Sequence, residues 1–316
     1  MTSAGFVLAA NGNGKHSQTG ISAYAGLEHP PHLSRLESKT GRKGIVEQLS
    51  ISVDSDARDG FVPGFLHLPP DFNTTSTFNN HGVLPKIHHR TAAILLSGAG
   101  GGVTGPSSIY LSLACKLATL HPNNGIPALR LDYRVPARTG PCVRDVCAAM
   151  QFLQDMYGLD RFVLVGWSFG GAVVFSTLTS DEEKRVVGCA TVASQTADTE
   201  GIRSLAPRPV LLLHGTGDQT LNERCSERLY EMYGESDEGG GEGERRLVLF
   251  DGDNHALSGN AETVEEIICE FVARCAGVTV DETDREEVLK QELVEDDERG
   301  DLMERGGDLR SPERRE

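Results

Sequence analysis

The feature that most constrains this chain is a short apolar run that ends in a glycine-flanked serine. Residues 161–171 read R-F-V-L-V-G-W-S-F-G-G, and the apolar run over 162–165 predicts a strand buried on both faces. The next residues, A-V-V-F-S-T-L, continue with helical spacing. A strand that turns at once into a helix strains its turn residue, Ser168, and needs small neighbours, which Gly166 and Gly170 supply.

Such a turn carries the Ser168 hydroxyl out above the sheet, where a substrate can reach it. The N-terminus of the following helix directs backbone N–H groups and the positive end of its dipole at the same point. Trp167 is interpreted as a packing residue beside the turn that also forms a wall of the substrate pocket. The pattern G-x-S-x-G is short enough to arise by chance in a chain with 36 glycines, with Ser168 an ordinary turn residue. The interpretation of Ser168 as a nucleophile therefore depends on the rest of the sequence.

Strands alternate with helices from about residue 45 to residue 276. Alternating apolar residues over 45–53 and 60–68 predict an antiparallel hairpin. Further strands are predicted over 91–96, 128–133, 186–192, 209–214 and 246–250, and the intervening segments carry apolar residues at helical spacing, the last of them the stripe Val264, Ile267, Ile268, Phe271, Val272 and Cys275. This pattern predicts one α/β domain with a mostly parallel sheet. Residues 1–44 lack any sustained periodicity and are predicted to be disordered.

Two further side chains follow predicted strands closely enough to join Ser168. The segment V-L-L-L-H-G-T-G-D places Asp218 just past the carboxyl end of one strand, and F-D-G-D-N-H-A places His255 just past another. The carboxyl ends of parallel strands share one edge of the sheet, where ligands bind. The order serine, aspartate, histidine suits nucleophilic catalysis by Ser168. The alternatives are Asp251 and Asp253 for the acid, and for the base His214, which is more easily explained as a structural histidine because it ends a buried strand.

A glycine-rich loop, S-G-A-G-G-G over 97–102, follows the first parallel strand. Its backbone can approach a substrate closely, so an N–H of this loop could pair with the N–H of Phe169 to hold an oxyanion. A phosphate-binding loop is the other interpretation, but the loop lacks both the G-K-[ST] ending and the G-x-G-x-x-G spacing.

Together these motifs resemble those of the α/β-hydrolases, and the size and plan of residues 45–276 are similar to those of dienelactone-hydrolase-like enzymes and small esterases. The resemblance implies the α/β-hydrolase fold, with an N-terminal antiparallel hairpin and no large cap domain. It implies that Ser168 is the nucleophile, His255 the general base and acid, and Asp218 the residue that orients His255. Ala99 matches the oxyanion donor of the family's H-G-x-G loop, with Phe169 as the second donor. Ser97 stands where histidine is common, and dienelactone hydrolases use cysteine rather than serine.

Net charge and composition indicate which classes of binding partner to expect. The net charge is −16, and residues 277–316 hold 15 acidic and 7 basic residues, so this tail carries half of it. We expect no binding to nucleic acid or to a membrane, and we expect the tail to be a solvated, partly disordered extension. Seven scattered cysteines and the lack of a signal segment predict free thiols and a cytoplasmic location. His81, His88 and His89 have no carboxylate or cysteine at ligand spacing, so no metal and no cofactor are expected.

These observations predict a serine hydrolase that cleaves an ester or thioester of a small acyl substrate through an acyl-enzyme. An acyltransferase with the same three residues and a non-catalytic interaction module are the alternatives. In this family a cap is usually inserted after the strand that here ends near residue 193, and the next strand begins near residue 208. Residues 194–207 lie between them, which is enough for one short helix over 197–205. We therefore expect a preference for short acyl groups.

Overall fold

The computed structural model describes residues 7–8, 44–54, 60–72, 90–120, 125–181, 183–235 and 242–312. Within these residues nine strands form one sheet in the order β1-β2-β3-β5-β4-β6-β7-β8-β9. The strands are β1 Val7–Leu8, β2 Ile45–Val53, β3 Gly60–Leu68, β4 Thr91–Leu96, β5 Ala128–Leu131, β6 Arg161–Trp167, β7 Val186–Val192, β8 Val210–Gly215 and β9 Arg245–Phe250. Strands β2 and β3 form an antiparallel hairpin, β3 pairs antiparallel with β5, and β4 to β9 run parallel.

Helices cover both faces of the parallel sheet. They are α1 Ile109–Thr119, α2 Thr139–Tyr157, α3 Phe169–Thr177, α4 Arg224–Met232, α5 Ala261–Cys275, α6 Glu282–Asp284 and α7 Arg299–Gly306. Successive strand residues face opposite sides, so Ile94 and Leu164 pack with α2, α3 and α4, whereas Leu95 and Val163 pack with α1 and α5. Every residue of β4 and of β8 is buried, which explains why both read as continuous apolar runs.

The fold predicted from the sequence is confirmed. The hairpin and strands β4 and β7 have the expected bounds, and the other predicted strands differ by one or two residues at their ends. Strand β5 ends earlier than expected, at Leu131, where the buried side chain of Asp132 begins to accept hydrogen bonds. Among the described residues, no helix has both the length and the apolar character needed to cross a membrane.

The connection between β7 and β8 leaves the edge of the sheet without an inserted domain. It holds one 3₁₀ turn, Glu200–Ser204, in place of the predicted helix over 197–205. Residues 73–89, which include His81, His88 and His89, lie outside the described residues. The segment 1–44 that was predicted to be disordered also lies outside them, apart from β1 and Gly44.

The acidic tail differs most from expectation, because over 277–312 it packs on the domain instead of being solvated. Val288 and Leu289 join the core beside α1 and α5, and Val294 and Leu302 pack against α1. Few apolar residues are present, but these four are buried, and many of the acidic side chains between them face solvent. An apolar stripe at α-helical spacing would have predicted this packing. The sequence has none because α6 is short and continues into a π-helical turn, Arg285–Leu289.

Candidate active site

Ser168 lies at the turn between β6 and α3 in a strained backbone conformation. Its φ of 53° and ψ of −117° are conformations that residues other than glycine rarely adopt. The Ser168 N–H donates to the carbonyl of Val192 at the end of β7 (2.9 Å), and the Ser168 carbonyl accepts from Gly171 N–H (3.1 Å). The backbone is thus fixed on both sides of the strained residue, as a nucleophile on a strand-to-helix turn requires.

The two flanking glycines are required because backbone atoms lie where their side chains would be. A Cβ at Gly166 would lie 2.4 Å from the carbonyl oxygen of Gly170 in the first turn of α3. A Cβ at Gly170 would lie 2.5 Å from the carbonyl oxygen of Leu96 and 2.7 Å from that of Ser97. The second contact seats the start of α3, including Phe169, directly against the start of the glycine loop (residues 97–105). Ala99 belongs to this loop.

His255 and Asp218 are joined by a hydrogen bond at the carboxyl ends of β8 and β9. Nδ1 of His255 lies 2.7 Å from Oδ2 of Asp218, and both side chains are buried. The indole Nε1 of Trp167 donates to the backbone carbonyl of His255 (3.1 Å), and the two rings lie 5.6 Å apart. Because Trp167 directly precedes Ser168, these contacts bring the His255 loop beside the serine.

Asp218 is held as an ionised acceptor. Its Oδ1 accepts the backbone N–H groups of Thr220 and Leu221, both at 2.8 Å. Burial would raise the pKa of Asp218, but hydrogen bonds from His214 and His255 outweigh burial and lower that pKa well below its ordinary value. An ionised carboxylate can only accept, so the bond to His255 requires the proton of the neutral imidazole to be on Nδ1. Its Nε2 then has the lone pair that a general base needs.

His214 contacts Asp218 as well, which the sequence analysis did not anticipate. Its Nε2 lies 3.1 Å from Oδ2 of Asp218 and 2.9 Å from the carbonyl oxygen of Leu221. Both neighbours only accept, so this nitrogen carries a proton. Its Nδ1 lies 2.7 Å from the hydroxyl of Ser226. His214 therefore holds Asp218 in place, and its role as a structural histidine stays a prediction. The signal in the sequence was its position, four residues before Asp218.

The two rival carboxylates have other partners. Asp253 accepts from Asn254 N–H (2.9 Å), from Gly259 N–H (3.0 Å) and from the amide of Asn260 (2.8 Å), so it braces the loop that carries His255. Asp251 is exposed and accepts from Thr216 at 3.4 Å. Of the three candidate acids, Asp218 is the one whose carboxylate the structure joins to His255.

The glycine loop is ordered against the serine turn by aromatic side chains. The hydroxyl of Tyr133 donates to the carbonyl of Ser97 (3.0 Å), and its ring meets Phe169 edge-on at 6.1 Å. The loop itself turns through a hydrogen bond from Gly101 N–H to the carbonyl of Gly98 (3.0 Å), a turn that includes Ala99. Ala99 and Phe169, the two expected oxyanion donors, therefore belong to segments in direct contact.

All seven cysteines lie in the described parts of the chain and are free. Burial raises the pKa of Cys115 to about 12, so that thiol is not an ionised nucleophile. The described residues hold no group of three or more His, Cys, Asp and Glu side chains that could bind a metal ion.

Comparison with known proteins agrees with the fold. A model of the α/β-hydrolase fold family matches residues 84–226, a span that includes Ser168 and Asp218 and ends before His255. No curated protein matches the chain significantly.

Among solved structures, the chain is similar to a serine hydrolase without a lid from Xanthomonas campestris (17% identity, 72% of this chain and 94% of that one, TM-score 0.51). It is also similar to the esterase domain of a Rhodothermus marinus protein (19%, 73% and 98%, TM-score 0.51). A dienelactone hydrolase from Anabaena variabilis is similar too (17%, 72% and 98%, TM-score 0.50).

Proposed function

Because the chain has the α/β-hydrolase fold, we propose that it is a serine hydrolase that cleaves an ester or thioester of a small acyl substrate. Hydrolase activity agrees with the family and with the esterase and dienelactone hydrolase to which the fold is similar. The roles proposed for individual residues rest on the geometry of this chain: Ser168 as nucleophile, His255 as general base and acid, and Asp218 as the group that orients His255.

The hydrogen bond between His255 and Asp218 supports this proposal most. A buried ionised carboxylate 2.7 Å from Nδ1 sets the tautomer in which Nε2 can accept a proton. It also stabilises the imidazolium that forms when Nε2 is protonated. His214 binds the same carboxylate, but through Nε2, and its Nδ1 faces the hydroxyl of Ser226. His255 binds the carboxylate through Nδ1, which leaves the lone pair on Nε2, where a general base needs it.

The proposed reaction has two steps. Nε2 of His255 takes the proton of the Ser168 hydroxyl as Oγ attacks the acyl carbon, and the carbonyl electron pair moves to oxygen. The tetrahedral intermediate collapses as His255 returns the proton to the leaving alcohol or thiol, which gives an acyl-enzyme. Water then attacks the acyl carbon as His255 takes one of its protons, and His255 gives that proton to Ser168 Oγ as the carboxylic acid leaves.

Two backbone N–H groups are proposed to bind the negative oxygen of each tetrahedral intermediate. Phe169 supplies one from the first turn of α3, where the helix dipole also favours negative charge. Ala99 supplies the other from the glycine loop. Each such donor contributes about 3 kcal/mol to transition-state stabilisation.

The short connection between β7 and β8 favours a small acyl group. That connection holds one 3₁₀ turn and no inserted domain that could cover an extended acyl chain. Each buried methylene contributes about 0.8 kcal/mol, so a substrate gains little from methylenes that stay in water. We therefore propose that the substrates are esters or thioesters of short acyl groups and that the enzyme needs no cofactor.

Hydrolysis of p-nitrophenyl acetate and of acetyl thioesters by the purified protein tests the proposal. Ser168→Ala should reduce the rate by about 10³-fold or more. Ser176→Ala, which removes a hydroxyl on the same helix α3, is the matched control and should retain activity. Equal rates for the Ser168→Ala variant and the unaltered protein would refute the assignment. Transfer of the acyl group to an added alcohol or amine in preference to water would instead favour an acyltransferase.

A further inference from the structure

The carboxylate of Asp308, in the acidic tail, is bound inside the glycine loop. Its Oδ1 accepts from the Ser97 hydroxyl (2.5 Å) and from Gly105 N–H (2.8 Å). Its Oδ2 accepts from Val103 N–H (3.2 Å), and from the N–H (2.9 Å) and hydroxyl (2.7 Å) of Thr104. Asp308 is fully buried. Five hydrogen bonds to one side chain thus connect the tail to the loop across about 200 residues of sequence.

A second carboxylate holds the other side of the same loop, and the tail reaches it too. Asp132 accepts Gly102 N–H at 2.8 Å, and Nη2 of Arg310 lies 2.7 Å from both of its oxygens. Asp132 is fully buried, so the Arg310 guanidinium is the charge that compensates it. Two tail residues therefore hold the loop: Asp308 directly, and Arg310 through Asp132.

The loop needs such external restraint because of its composition. Gly101, Gly102 and Gly105 have φ values of 76°, 108° and 72°, and glycine loses more conformational freedom on ordering than any other residue. Asp308 accepts the buried backbone N–H groups of Thr104 and Gly105, and it shares the N–H of Val103 with the carbonyl of Gly306 (3.2 Å). A loop of this kind adopts one conformation only where its surroundings impose it.

The tail also contacts the segment between the loop and the His255 region. The Ser108 hydroxyl donates to the carbonyl of Arg299 in α7 (2.8 Å), and the Arg299 guanidinium donates to the carbonyl of Ser107 (3.0 Å). The Ser107 hydroxyl in turn donates to the carbonyl of Ala256, next to His255 (3.0 Å). The tail is thus linked to both loops of the candidate site.

We propose that Asp308 is a positioning residue for catalysis: its carboxylate fixes the glycine loop in the conformation that presents the Ala99 N–H to the developing oxyanion. The role rests on the proposed function. Ala99 lies within four residues of Ser97 on one side and Val103 on the other, and Asp308 binds both. A change in the loop that moves the Ala99 N–H weakens binding of the transition state more than binding of the substrate, because charge on the oxygen develops only in the transition state.

Asp308→Asn is the sharpest perturbation, because it keeps the size of the side chain. The amide has one acceptor oxygen in place of two, and its NH₂ would face N–H groups of the loop. We expect kcat for p-nitrophenyl acetate to fall by about 10- to 100-fold with KM changed less than about threefold, a smaller loss than complete removal of an oxyanion donor. Arg310→Gln, at a half-buried side chain, should give a smaller loss of kcat in the same sense.

The matched control is Asp301→Asn, which removes a carboxylate of the same tail from an exposed position in α7. It should leave kcat and KM unchanged. Amide hydrogen exchange provides a second readout, in which Asp308→Asn should increase exchange in residues 98–105 while the central strands keep their protection.

The possible results separate this role from the proposed function. An unaltered protein that hydrolyses no ester or thioester would overturn the proposed function, and the catalytic role of Asp308 with it. A hydrolase in which Asp308→Asn and Asp301→Asn have equal kcat would overturn the positioning role alone. Equal losses of kcat in both variants, with exchange raised throughout the domain, would show a general effect of the tail on stability and would also overturn it.

Discussion

Replacement of Asp218 by asparagine should nearly abolish turnover while the protein remains folded. In the Asp218→Asn variant, the carbonyl oxygen of the new amide is best placed where Oδ1 now accepts the N–H groups of Thr220 and Leu221. The NH₂ group would then face His255 Nδ1 and His214 Nε2. His214 Nε2 already carries a proton, and His255 would have to offer a lone pair at Nδ1 and carry its proton on Nε2. That tautomer cannot accept the proton of Ser168.

A wrong tautomer of this kind costs about 10⁴-fold in kcat, which corresponds to about 5 kcal/mol of transition-state stabilisation. KM should change little, since Asp218 is buried behind His255 and does not form the binding surface. Steady-state kinetics on p-nitrophenyl acetate give both constants. The control is Asp251→Asn, at an exposed residue of the same sheet edge, which should retain full activity. An Asp218→Asn variant within tenfold of the unaltered kcat would refute the assigned role of the carboxylate, and a larger loss from Asp253→Asn would transfer that role to Asp253.

Four further outcomes are expected. Gly170→Ala should lower the free energy of unfolding by about 1–3 kcal/mol in urea titrations, because its Cβ would lie 2.5 Å from the carbonyl oxygen of Leu96; an unchanged midpoint would contradict that contact. His214→Gln should lower kcat by about tenfold, less than Asp218→Asn, since one hydrogen bond to the carboxylate is lost; an effect on KM alone would speak against it. Deletion of residues 277–316 should lower the Tm by more than about 5 °C, because each apolar side chain of the tail that is now buried contributes about 1.5–3 kcal/mol; an unchanged Tm would show that the tail does not pack. In a series of p-nitrophenyl esters, kcat/KM should stop rising by about six carbons, and a continued rise past about ten carbons would reveal a hydrophobic lid.

Much of the fold could be predicted because each strand of the parallel sheet has its own local signal. The run T-A-A-I-L-L is buried on both faces as β4, and the glycines around Ser168 are required by contacts that a Cβ would prevent. Asp218 and His255 could be placed at one edge because parallel strands share their carboxyl ends. The hydrogen bond between Asp218 and His255 could not be derived from the sequence, because it depends on the conformations of two loops.

The tail could not be predicted for a different reason. Its contacts with the domain come from a few buried apolar residues and from charged ones that include Arg299, Asp308 and Arg310, within a strongly charged segment. A single aspartate among many acidic residues has no periodicity to distinguish it, and its partners in the glycine loop lie about 200 residues away. The overall composition of this segment predicts a solvated tail, whereas its packing depends on a few individual residues.

Covalent labelling with a fluorophosphonate tests the central claim most directly, because the probe phosphonylates a serine that a nearby base has activated. The unaltered protein should gain the mass of one probe less HF, and peptide mapping should place the adduct on Ser168. Ser168→Ala should gain none, while Ser176→Ala should be labelled like the unaltered protein. An adduct on another serine, or full labelling of the Ser168→Ala variant, would contradict the assignment of the nucleophile on which the whole account depends.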